Sequence, residues 1–211
     1  MIKIIAEAGI NWNSFNEAVE YAEKAKEIGA DIIKYQWIKD ESLPDKQCHM
    51  NKGEWKALKG YCDKIGIELM CTPSSKDIAN YLYWDLDCNL IKIGSDHVRD
   101  LWVSQLLNEL SEDIFLLSDG YYDSNYYNMY CISLYSCDPK FIDFKKMAEK
   151  KYIGFSDHTL RYDKEWIKQI PDNIQYYEKH FKLKDDVLDD VVSLDVDQFK
   201  KLIKNIREVK G

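Results

Sequence analysis

The feature that most constrains the fold is a repeated alternation of short apolar runs and amphipathic segments along the chain. The apolar runs are rich in β-branched and aromatic side chains, as buried strands are. The longer segments carry apolar residues at helical spacing, and the first one starts with a capping box at Ser14–Glu17 and stops at Gly29. This alternation is typical of strands that helices join into a parallel sheet.

Eight of the apolar runs are predicted as strands, at about 2–6, 31–36, 67–71, 90–93, 114–117, 128–132, 152–155 and 174–177. Helices are predicted at 15–28, 52–65, after Ser75, at 99–110, 139–149 and 161–169, and after Asp195. Residues 121–127 are too few and too polar for a connecting helix, so the helix between strands five and six is expected to be missing.

We therefore predict an α/β fold, a trimmed (β/α)8 TIM barrel in one domain, residues 1–211. An open doubly wound sheet is the alternative, but no Gly-rich phosphate loop follows the first strand.

Charge and cysteine content limit the class of protein. The net charge of −8 is spread along the chain, which argues against a nucleic-acid partner or an anionic membrane. No segment approaches the ~20 apolar residues of a membrane span, and the N-terminus lacks the pattern of a signal peptide. Six cysteines without a Cys-x-x-Cys pair predict free thiols in a reduced, cytoplasmic protein.

Polar and charged side chains are concentrated where the predicted strands end, whereas the strand bodies are apolar. In a (β/α)8 barrel the active site lies at these ends. The groups found there are Glu7, Asn11, Lys34, Gln36, Thr72, Lys92, Ser95, Ser118, Asp119, Ser133, Tyr135, Ser156, Asp157, His158, Glu178 and His180.

Two lysines stand out, because Lys34 and Lys92 lie inside otherwise apolar strands. An unpaired buried ammonium is costly. An anionic ligand would relieve that cost, and the neighbouring Ser and Thr hydroxyls would add donors, which favours a phosphate site. Ion pairs with Glu7 or Glu178 are the alternative.

Two histidines, His158 and His180, follow the last two predicted strands and are expected to lie side by side. Neutral imidazole is the commonest nitrogen ligand of divalent metals. Two histidines are too few for a closed structural zinc site, so they favour an open catalytic metal site. His49 and His97 lie in predicted loops and receive no role.

Six motifs in order resemble the N-acetylneuraminate (sialic acid) synthase family, including its legionaminate, pseudaminate and spore-coat relatives. They are Glu7-Ala8-Gly9-Ile10-Asn11, Asp31-Ile32-Ile33-Lys34-Tyr35-Gln36, Cys71-Thr72-Pro73, Ile91-Lys92-Ile93-Gly94-Ser95, Gly154-Phe155-Ser156-Asp157-His158-Thr159 and Glu178-Lys179-His180-Phe181. The resemblance implies a (β/α)8 barrel that condenses phosphoenolpyruvate with an N-acylated amino sugar such as N-acetylmannosamine. The products would be a nonulosonic (sialic) acid and phosphate.

The resemblance also implies roles for individual residues. Phosphoenolpyruvate would be held by Lys34, Thr72, Lys92, Ser95, Ser133 and Ser156. Mn²⁺ or Mg²⁺ would be bound by His158 and His180, which with Glu7 form the catalytic set. The sugar would face Asn11, Gln36, Tyr135, Glu178 and Asp189.

The chain departs from the family's pattern in several places. Trp12 replaces a histidine, Ser14 a glycine and Asp119 a threonine, and Leu188-Asp189-Asp190 replaces a Gly-Pro-Asp-His stretch. The family continues into a C-terminal antifreeze-like domain, so a homodimer or a separate chain is expected to supply it.

Two other functions remain open. One is a non-catalytic or regulatory barrel of the same family that binds phosphoenolpyruvate and metal. The other is a phosphoenolpyruvate-condensing synthase with a phosphorylated sugar acceptor, which would need more arginines than Arg99, Arg161 and Arg207.

Overall fold

The computed structural model describes residues 1–38, 50–110, 115–118 and 127–211. Eight parallel strands follow one another in sequence order, and the first pairs with the last to close a barrel. They are β1 (Lys3–Gly9), β2 (Ile32–Trp37), β3 (Glu68–Pro73), β4 (Ile91–Ile93), β5 (Phe115–Ser118), β6 (Tyr127–Cys131), β7 (Gly154–Asp157) and β8 (Tyr176–His180). The predicted (β/α)8 TIM barrel is confirmed.

Seven α-helices surround the barrel in the described part of the chain. They are α1 (Phe15–Ile28), α2 (Lys52–Ile65), α3 (Lys76–Trp84), α4 (Leu101–Glu109), α5 (Phe144–Glu149), α6 (Lys164–Gln169) and α7 (Val196–Lys210). The Ser14 hydroxyl accepts the Glu17 amide before α1, and Gly29 ends that helix in the left-handed region, as predicted. The second half of the predicted capping box differs, because the Glu17 carboxylate accepts the amide of Asn13 rather than that of Ser14.

Two predicted helices are shorter than their apolar spacing indicated, because an aspartate caps each one part-way along. The Asp143 carboxylate accepts the Lys146 amide, so 139–149 divides into a 3-10 turn at Pro139–Phe141 and α5. The Asp163 carboxylate accepts the Trp166 amide, so α6 begins after residue 163 rather than at 161. Side-chain hydrogen bonds to the backbone override apolar periodicity at both places.

Strand β7 begins and ends two residues later than predicted, and β8 begins two and ends three residues later. Ile174 donates its amide to the Pro171 carbonyl in a turn, and its buried side chain joins the layer between strands and helices. The apolar run therefore includes the turn before β8. As a consequence, Glu178 and His180 lie within β8 rather than after it.

Some predictions fall on residues 39–49, 111–114 and 119–126, which lie outside the described part of the chain. They concern the missing helix between strands five and six, Asp119, Cys48 and His49. The strands flanking 119–126 are direct parallel neighbours, with Leu116 opposite Tyr127.

The core has two parts. A small cluster fills the lower barrel interior, built from Ile5, Ile32, Met70, Leu90, Leu116 and Met129. A larger layer lies between strands and helices. Because strand side chains alternate, the residues two positions beyond Ile5 and Ile32, Glu7 and Lys34, also point into the barrel, nearer its carboxyl-terminal mouth. The apolar plug closes one end and polar side chains occupy the other.

An aromatic cluster of Trp12, Tyr35, Trp37 and Trp55 packs between the first two strands and α2. The Trp37 and Trp55 rings stack with centroids 4.6 Å apart, and Trp12 and Tyr35 meet Trp55 edge-on at 6.1 and 6.2 Å. The Tyr35 hydroxyl donates to the Ala18 carbonyl of α1 at 2.6 Å. The cluster therefore fixes α1 and α2 against the strands that carry Glu7 and Lys34.

The five cysteines within the described ranges are free and buried, as predicted for them. None of the helices seen in these ranges has the length and apolar character needed to cross a membrane.

Replacing the central ring of the aromatic cluster should destabilise the fold. Trp55 is 0% exposed, so Trp55→Ala should lower the free energy of unfolding by about 3–5 kcal/mol, because it leaves a cavity. Trp84 is 70% exposed, and Trp84→Ala should change the free energy of unfolding by less than about 0.5 kcal/mol. Urea unfolding followed by circular dichroism measures both, and equal losses would contradict this packing.

Candidate active site

A cavity of about 210 Å³ opens at the carboxyl-terminal ends of the strands. It is lined by Glu7, Lys34, Gln36, Thr72, Lys92, Gly94, Ser95, Asp96, Ser118, Cys131, Ser133, Tyr135, Ser156, His158, Glu178 and His180. Every residue to which the family resemblance gave a role is in this set except Asn11 and Asp189. Of the other strand-end groups, Ser118 lines the cavity, Asp157 does not, and Asp119 lies outside the described residues. Residues contributed by all eight strands or the loops just after them therefore converge on one space.

Sequence reasoning assigned no role to four lining residues, Gly94, Asp96, Ser118 and Cys131. Asp96 directly follows Ser95, so its position after β4 was an available signal. Cys131 ends β6, and its apolar surroundings predicted only a buried thiol. Burial raises the pKa of that thiol, which keeps it protonated.

Four buried charges form the bottom of the cavity, and we call Glu7, Lys34, Lys92 and Glu178 the charged floor. Lys34 Nζ lies 2.6 Å from Glu7 Oε2 and 3.3 Å from Glu178 Oε2. Lys92 Nζ donates to Glu178 Oε1 at 2.9 Å. The ion pairs considered as an alternative from the sequence therefore exist, and each lysine faces the cavity with a carboxylate partner.

The pKa values of the charged floor follow from burial and these contacts. Burial lowers the pKa of Lys34 to about 8, Glu178 opposes that shift, and Lys92 adds to it. Burial alone would raise the pKa of Glu178, but Lys34 and Lys92 outweigh it and hold that pKa below its ordinary value. Glu178 is therefore a carboxylate at neutral pH, and Lys34 is an ammonium that gives up its proton unusually easily.

The charged floor leaves acceptors unused. Both carboxylate oxygens of Glu7 and the Oε2 oxygen of Glu178 are buried and accept no hydrogen bond from any described residue. The 2.6 Å contact of Glu7 with Lys34 is ionic but is not aligned as a hydrogen bond. Buried polar atoms in native proteins normally have partners. Unused acceptors beside two ammonium groups indicate a site for water and a polar ligand.

Hydroxyl groups surround the two lysines. Lys34 Nζ donates to Thr72 Oγ1 at 3.3 Å, and Ser156 Oγ donates to Glu178 Oε1 at 2.7 Å. The Ser95 and Ser133 hydroxyl oxygens are 2.5 Å apart across the mouth. Hydroxyls can rotate to donate toward an incoming anion. The predicted phosphate-type donors are thus gathered around the lysine ammonium groups.

His158 presents a lone pair toward the cavity. Its Nδ1 lies 2.8 Å from the Ile132 carbonyl, which can only accept, so Nδ1 carries the proton and Nε2 does not. Burial lowers the pKa of His158 to about 4, and the nearby His180 ring adds to the effect. The imidazole is therefore neutral near pH 7.

His180 lies beside it, with ring centroids 5.3 Å apart. Its Nδ1 is buried without a hydrogen bond from a described residue, and Asp189 Oδ2 lies 3.3 Å away as an ionic contact. Two neighbouring imidazole rings, one with a free lone pair and one with an orphaned nitrogen, fit a divalent metal held by two protein ligands. Within the described ranges, no group of three or more His, Cys, Asp and Glu side chains is placed to hold an ion.

Tyr135 covers the two histidines from the mouth. Its ring centroid is 4.6 Å from that of His158 and 5.4 Å from that of His180, and its hydroxyl lies 3.4 Å from His180 Nε2. The ring is half exposed. A ligand that enters from the mouth therefore meets Tyr135 before it reaches the histidines.

Asn11 and Asp189 lie beside the cavity rather than in its lining. Asn11 Nδ2 donates to the Phe181 carbonyl at 3.2 Å and to Ser193 Oγ at 3.0 Å. Asn11 Oδ1 accepts the Asp189 amide at 2.8 Å. Asn11 thereby ties down the segment after β8 and sets Asp189 next to His180.

Gly9 allows this close approach. Its φ of +52° is in the left-handed region, and a Cβ there would lie 2.9 Å from both Glu7 Oε1 and Asp189 Oδ2. Two carboxylates can therefore approach the end of β1 only because the residue has no side chain.

A sequence model of the NeuB family matches residues 44–125 and 120–211 of the chain. The chain belongs to the NeuB family. The resemblance read from the six motifs is thereby confirmed.

Other relatives agree with this membership. An uncharacterised protein of Methanocaldococcus jannaschii is 26% identical over 250 aligned positions, which cover 98% of this chain and 70% of the relative. The N,N'-diacetyllegionaminic acid synthase of Legionella pneumophila is 24% identical over 98% of this chain and 72% of the relative. Both alignments are longer than 211 residues, so these relatives carry insertions within the matched region.

The fold is shared with solved structures. The crystal structure of an N-acetylneuraminic acid (sialic acid) synthetase from Leptospira borgpetersenii, in complex with citrate, superposes with a TM-score of 0.85 at 21% identity. The match covers 99% of this chain and 84% of that chain.

The lowered pKa of Lys34 predicts a pH-dependent stability. Between about pH 8 and the ordinary pKa of 10.5, the unfolded chain keeps a proton on Lys34 that the folded chain has lost. The wild type should therefore gain stability over Lys34→Met as pH rises through this window, by up to about 1.4 kcal/mol per pH unit. Urea unfolding at about pH 7.5 and about pH 10 measures the difference. Lys145→Met, at a side chain that is 84% exposed, is the control, and a flat difference for Lys34→Met would refute the assignment.

Adding a methyl group at Gly9 should crowd the site. Gly9→Ala should destabilise the protein by more than Gly29→Ala, although both residues have positive φ, at +52° and +92°. Gly29→Ala adds only backbone strain, of about 1–2 kcal/mol, since the nearest atom to its Cβ is 3.9 Å away and no clash results. Gly9→Ala adds backbone strain as well, and its Cβ also meets two carboxylates. Thermal unfolding of both variants is the measurement, and equal shifts would show that the carboxylates move aside freely.

Proposed function

We propose that this NeuB-family protein condenses phosphoenolpyruvate with an N-acylated amino sugar like N-acetylmannosamine, giving a nonulosonic acid and inorganic phosphate. One observation carries the proposal: two buried lysines ringed by hydroxyl groups face two neighbouring, buried histidines across a single cavity. The first half suits a phosphorylated anion, and the second suits a metal next to a carbonyl oxygen. The chemistry joins an anionic enol phosphate to an aldehyde and so needs both halves.

Phosphoenolpyruvate would lie over the charged floor. Lys34 and Lys92 would face its phosphate and carboxylate, and charged hydrogen bonds of this kind are about twice as strong as neutral ones. The hydroxyls of Thr72, Ser95, Ser133 and Ser156 would complete the set of donors. The lysines would also offset the negative charge that the departing phosphate carries.

The acceptor aldehyde would lie on the histidine side. A divalent metal, Mn²⁺ or Mg²⁺, held by His158 and His180 would supply Lewis-acid polarisation of that aldehyde. Tyr135 lies beside the histidines and Gln36 lines the same cavity, and both would hydrogen-bond to the sugar hydroxyls. Asp189, which contacts His180 from behind, would set the orientation of the ring.

The bond changes balance as follows. Carbon 3 of phosphoenolpyruvate forms a carbon–carbon bond to the aldehyde carbon, and the aldehyde oxygen takes a proton. Carbon 2 then carries cationic character and adds water, whose proton passes to a carboxylate. We assign this base role to Glu7, since its oxygens are buried and accept no hydrogen bond. The carbon 2–oxygen bond to phosphate then breaks, the proton of the new hydroxyl leaves with the phosphate, and the keto group of the product remains. The proton that the carboxylate takes from water balances the proton that the aldehyde oxygen gains.

A phosphorylated acceptor is less well supported, because it needs a second cationic cluster at the mouth. Arg161 forms two hydrogen bonds with Asp163, at 2.6 and 3.0 Å. Arg207 binds the Ile2 carbonyl and Asp31 near the start of β1 and β2, at the opposite end of the barrel. Asp96 adds negative charge to the lining. A neutral acceptor matches these charges better.

As the family resemblance implies, we also propose that a second copy or a separate chain contributes contacts to the acceptor side. The exposed Leu134, Leu160 and Leu188 follow β6, β7 and β8 near this side of the mouth.

The proposal predicts acceptor-dependent phosphate release. Purified protein with phosphoenolpyruvate, Mn²⁺ and a panel of N-acylated hexosamines should release phosphate only when an acceptor is present. His158→Ala and His180→Ala should abolish turnover, and Lys92→Met should lower kcat/KM for phosphoenolpyruvate by about 100-fold or more. His97→Gln, outside the lining of the cavity, is the matched histidine control.

Calorimetry on the same samples separates the alternatives. Phosphoenolpyruvate binding without release for any acceptor would favour a non-catalytic barrel. Release that ignores the acceptor would contradict the condensation.

A further inference from the structure

A second pair of buried charges lies on the other side of the strands that carry the histidines. Asp157 of β7 and Lys179 of β8 are opposite each other in the register of the two strands. Their neighbours Ser156 and Glu178 face the cavity, so Asp157 and Lys179 point outward, toward the helix layer. Both side chains are 0% exposed. We call Asp157 and Lys179 the outer pair.

The outer pair forms hydrogen bonds with the backbone of the residue that follows His158. Lys179 Nζ lies 3.3 Å from Asp157 Oδ2 and donates to the Thr159 carbonyl. Asp157 Oδ1 accepts the Thr159 amide at 2.8 Å. Both polar backbone groups of Thr159 are therefore bound by the outer pair, one residue beyond the histidine.

The outer pair is itself anchored. The Oδ2 oxygen of Asp157 accepts the Trp166 indole N–H from α6 at 3.0 Å and the Tyr177 hydroxyl from β8. With four donors around one carboxylate, Asp157 has little freedom to rotate. A movement of Thr159 would break its contacts with side chains of both β7 and β8, and Asp157 is itself held by α6.

Other contacts hold His158 from the β6 side. Its carbonyl accepts the Cys137 amide at 3.0 Å, and its Nδ1 donates to the Ile132 carbonyl at 2.8 Å. The imidazole can keep this bond only if its backbone stays in place. The outer pair meets that requirement from the opposite side.

Stability alone does not explain the outer pair. A buried ion pair can often be replaced by apolar residues of similar volume without loss, because desolvation offsets the attraction. Here the charges bind the backbone beside a site residue, which apolar side chains could not do.

We propose that Asp157 and Lys179 are positioning residues that fix His158 in the orientation and tautomer in which Nδ1 donates to the Ile132 carbonyl and Nε2 is unprotonated. The inference rests on the proposed function only where it concerns the metal. Loss of the outer pair is expected to weaken divalent metal binding by about 10–100-fold, the range seen when groups supporting a ligand are removed.

The test uses four variants of the whole chain. Lys179→Met and Asp157→Asn each remove one charge. The double variant Asp157→Asn/Lys179→Met leaves no uncompensated buried charge, and it replaces a single variant that fails to fold. Tyr35→Phe is the matched control, because Tyr35 is also buried, outward-facing and next to a cavity residue, but its hydroxyl binds α1.

Two measurements separate positioning from plain stability. The first is Mn²⁺ affinity of metal-free protein, by electron paramagnetic resonance. The second is the ¹⁵N spectrum of histidine-labelled, metal-free protein near neutral pH, with the His158 signal assigned by its loss in His158→Gln. Wild type and Tyr35→Phe should show a single Nδ1–H tautomer for His158 and equal Mn²⁺ affinity. The outer-pair variants should show a tautomer mixture and the weakened affinity.

The outcomes are distinguishable. Folded outer-pair variants that keep the wild-type His158 spectrum would overturn the inference, whatever their melting temperature. If wild type binds no Mn²⁺, the metal assignment of the proposed function fails, while the metal-free spectra still decide whether the outer pair positions His158.

Discussion

The arrangement depends on one constraint: two ammonium groups, Lys34 and Lys92, are held inside a closed barrel. Such charges survive only with partners, and the charged floor supplies them from β1 and β8. Glu178 bridges both lysines, so β2 and β4 are linked to β8 across the interior. The apolar plug beneath, with Ile5, Ile32 and Met70, keeps water from the lower end. The cavity, its donors and the two histidines all lie above this foundation.

The sequence was sufficient to predict the fold and most of the residues that line the cavity, and the reason is physical. Strand alternation and parallel closure place every strand end at one mouth, so residues such as Thr72, Ser133 and His180 meet without further information. Which side chains pair was less accessible. Lys92 and Glu178 are 86 positions apart, and only the closed barrel brings them into contact. The sequence therefore allowed the ion pairs as an alternative to a phosphate site but could not decide between the two.

The misplaced boundaries have local causes. The helices α5 and α6 begin later than predicted because the carboxylates of Asp143 and Asp163 cap backbone amides there. The spacing of apolar residues does not reveal these caps. Asn11 was expected to face the sugar, yet its amide is used in binding the segment around Ser193. A polar residue near a strand end can support a site without lining it, and only the direction of its side chain distinguishes the two.

The charged floor also affects how a ligand leaves. Glu7 and Glu178 already neutralise the charges of Lys34 and Lys92. A phosphorylated anion that binds the two lysines therefore has to displace these carboxylates. Under the function proposed above, the same carboxylates would compete with phosphate for the lysines after the reaction. The charged floor would then act as a tethered competitor that weakens the binding of free phosphate. Inhibition by the product of the proposed reaction would be reduced in this way.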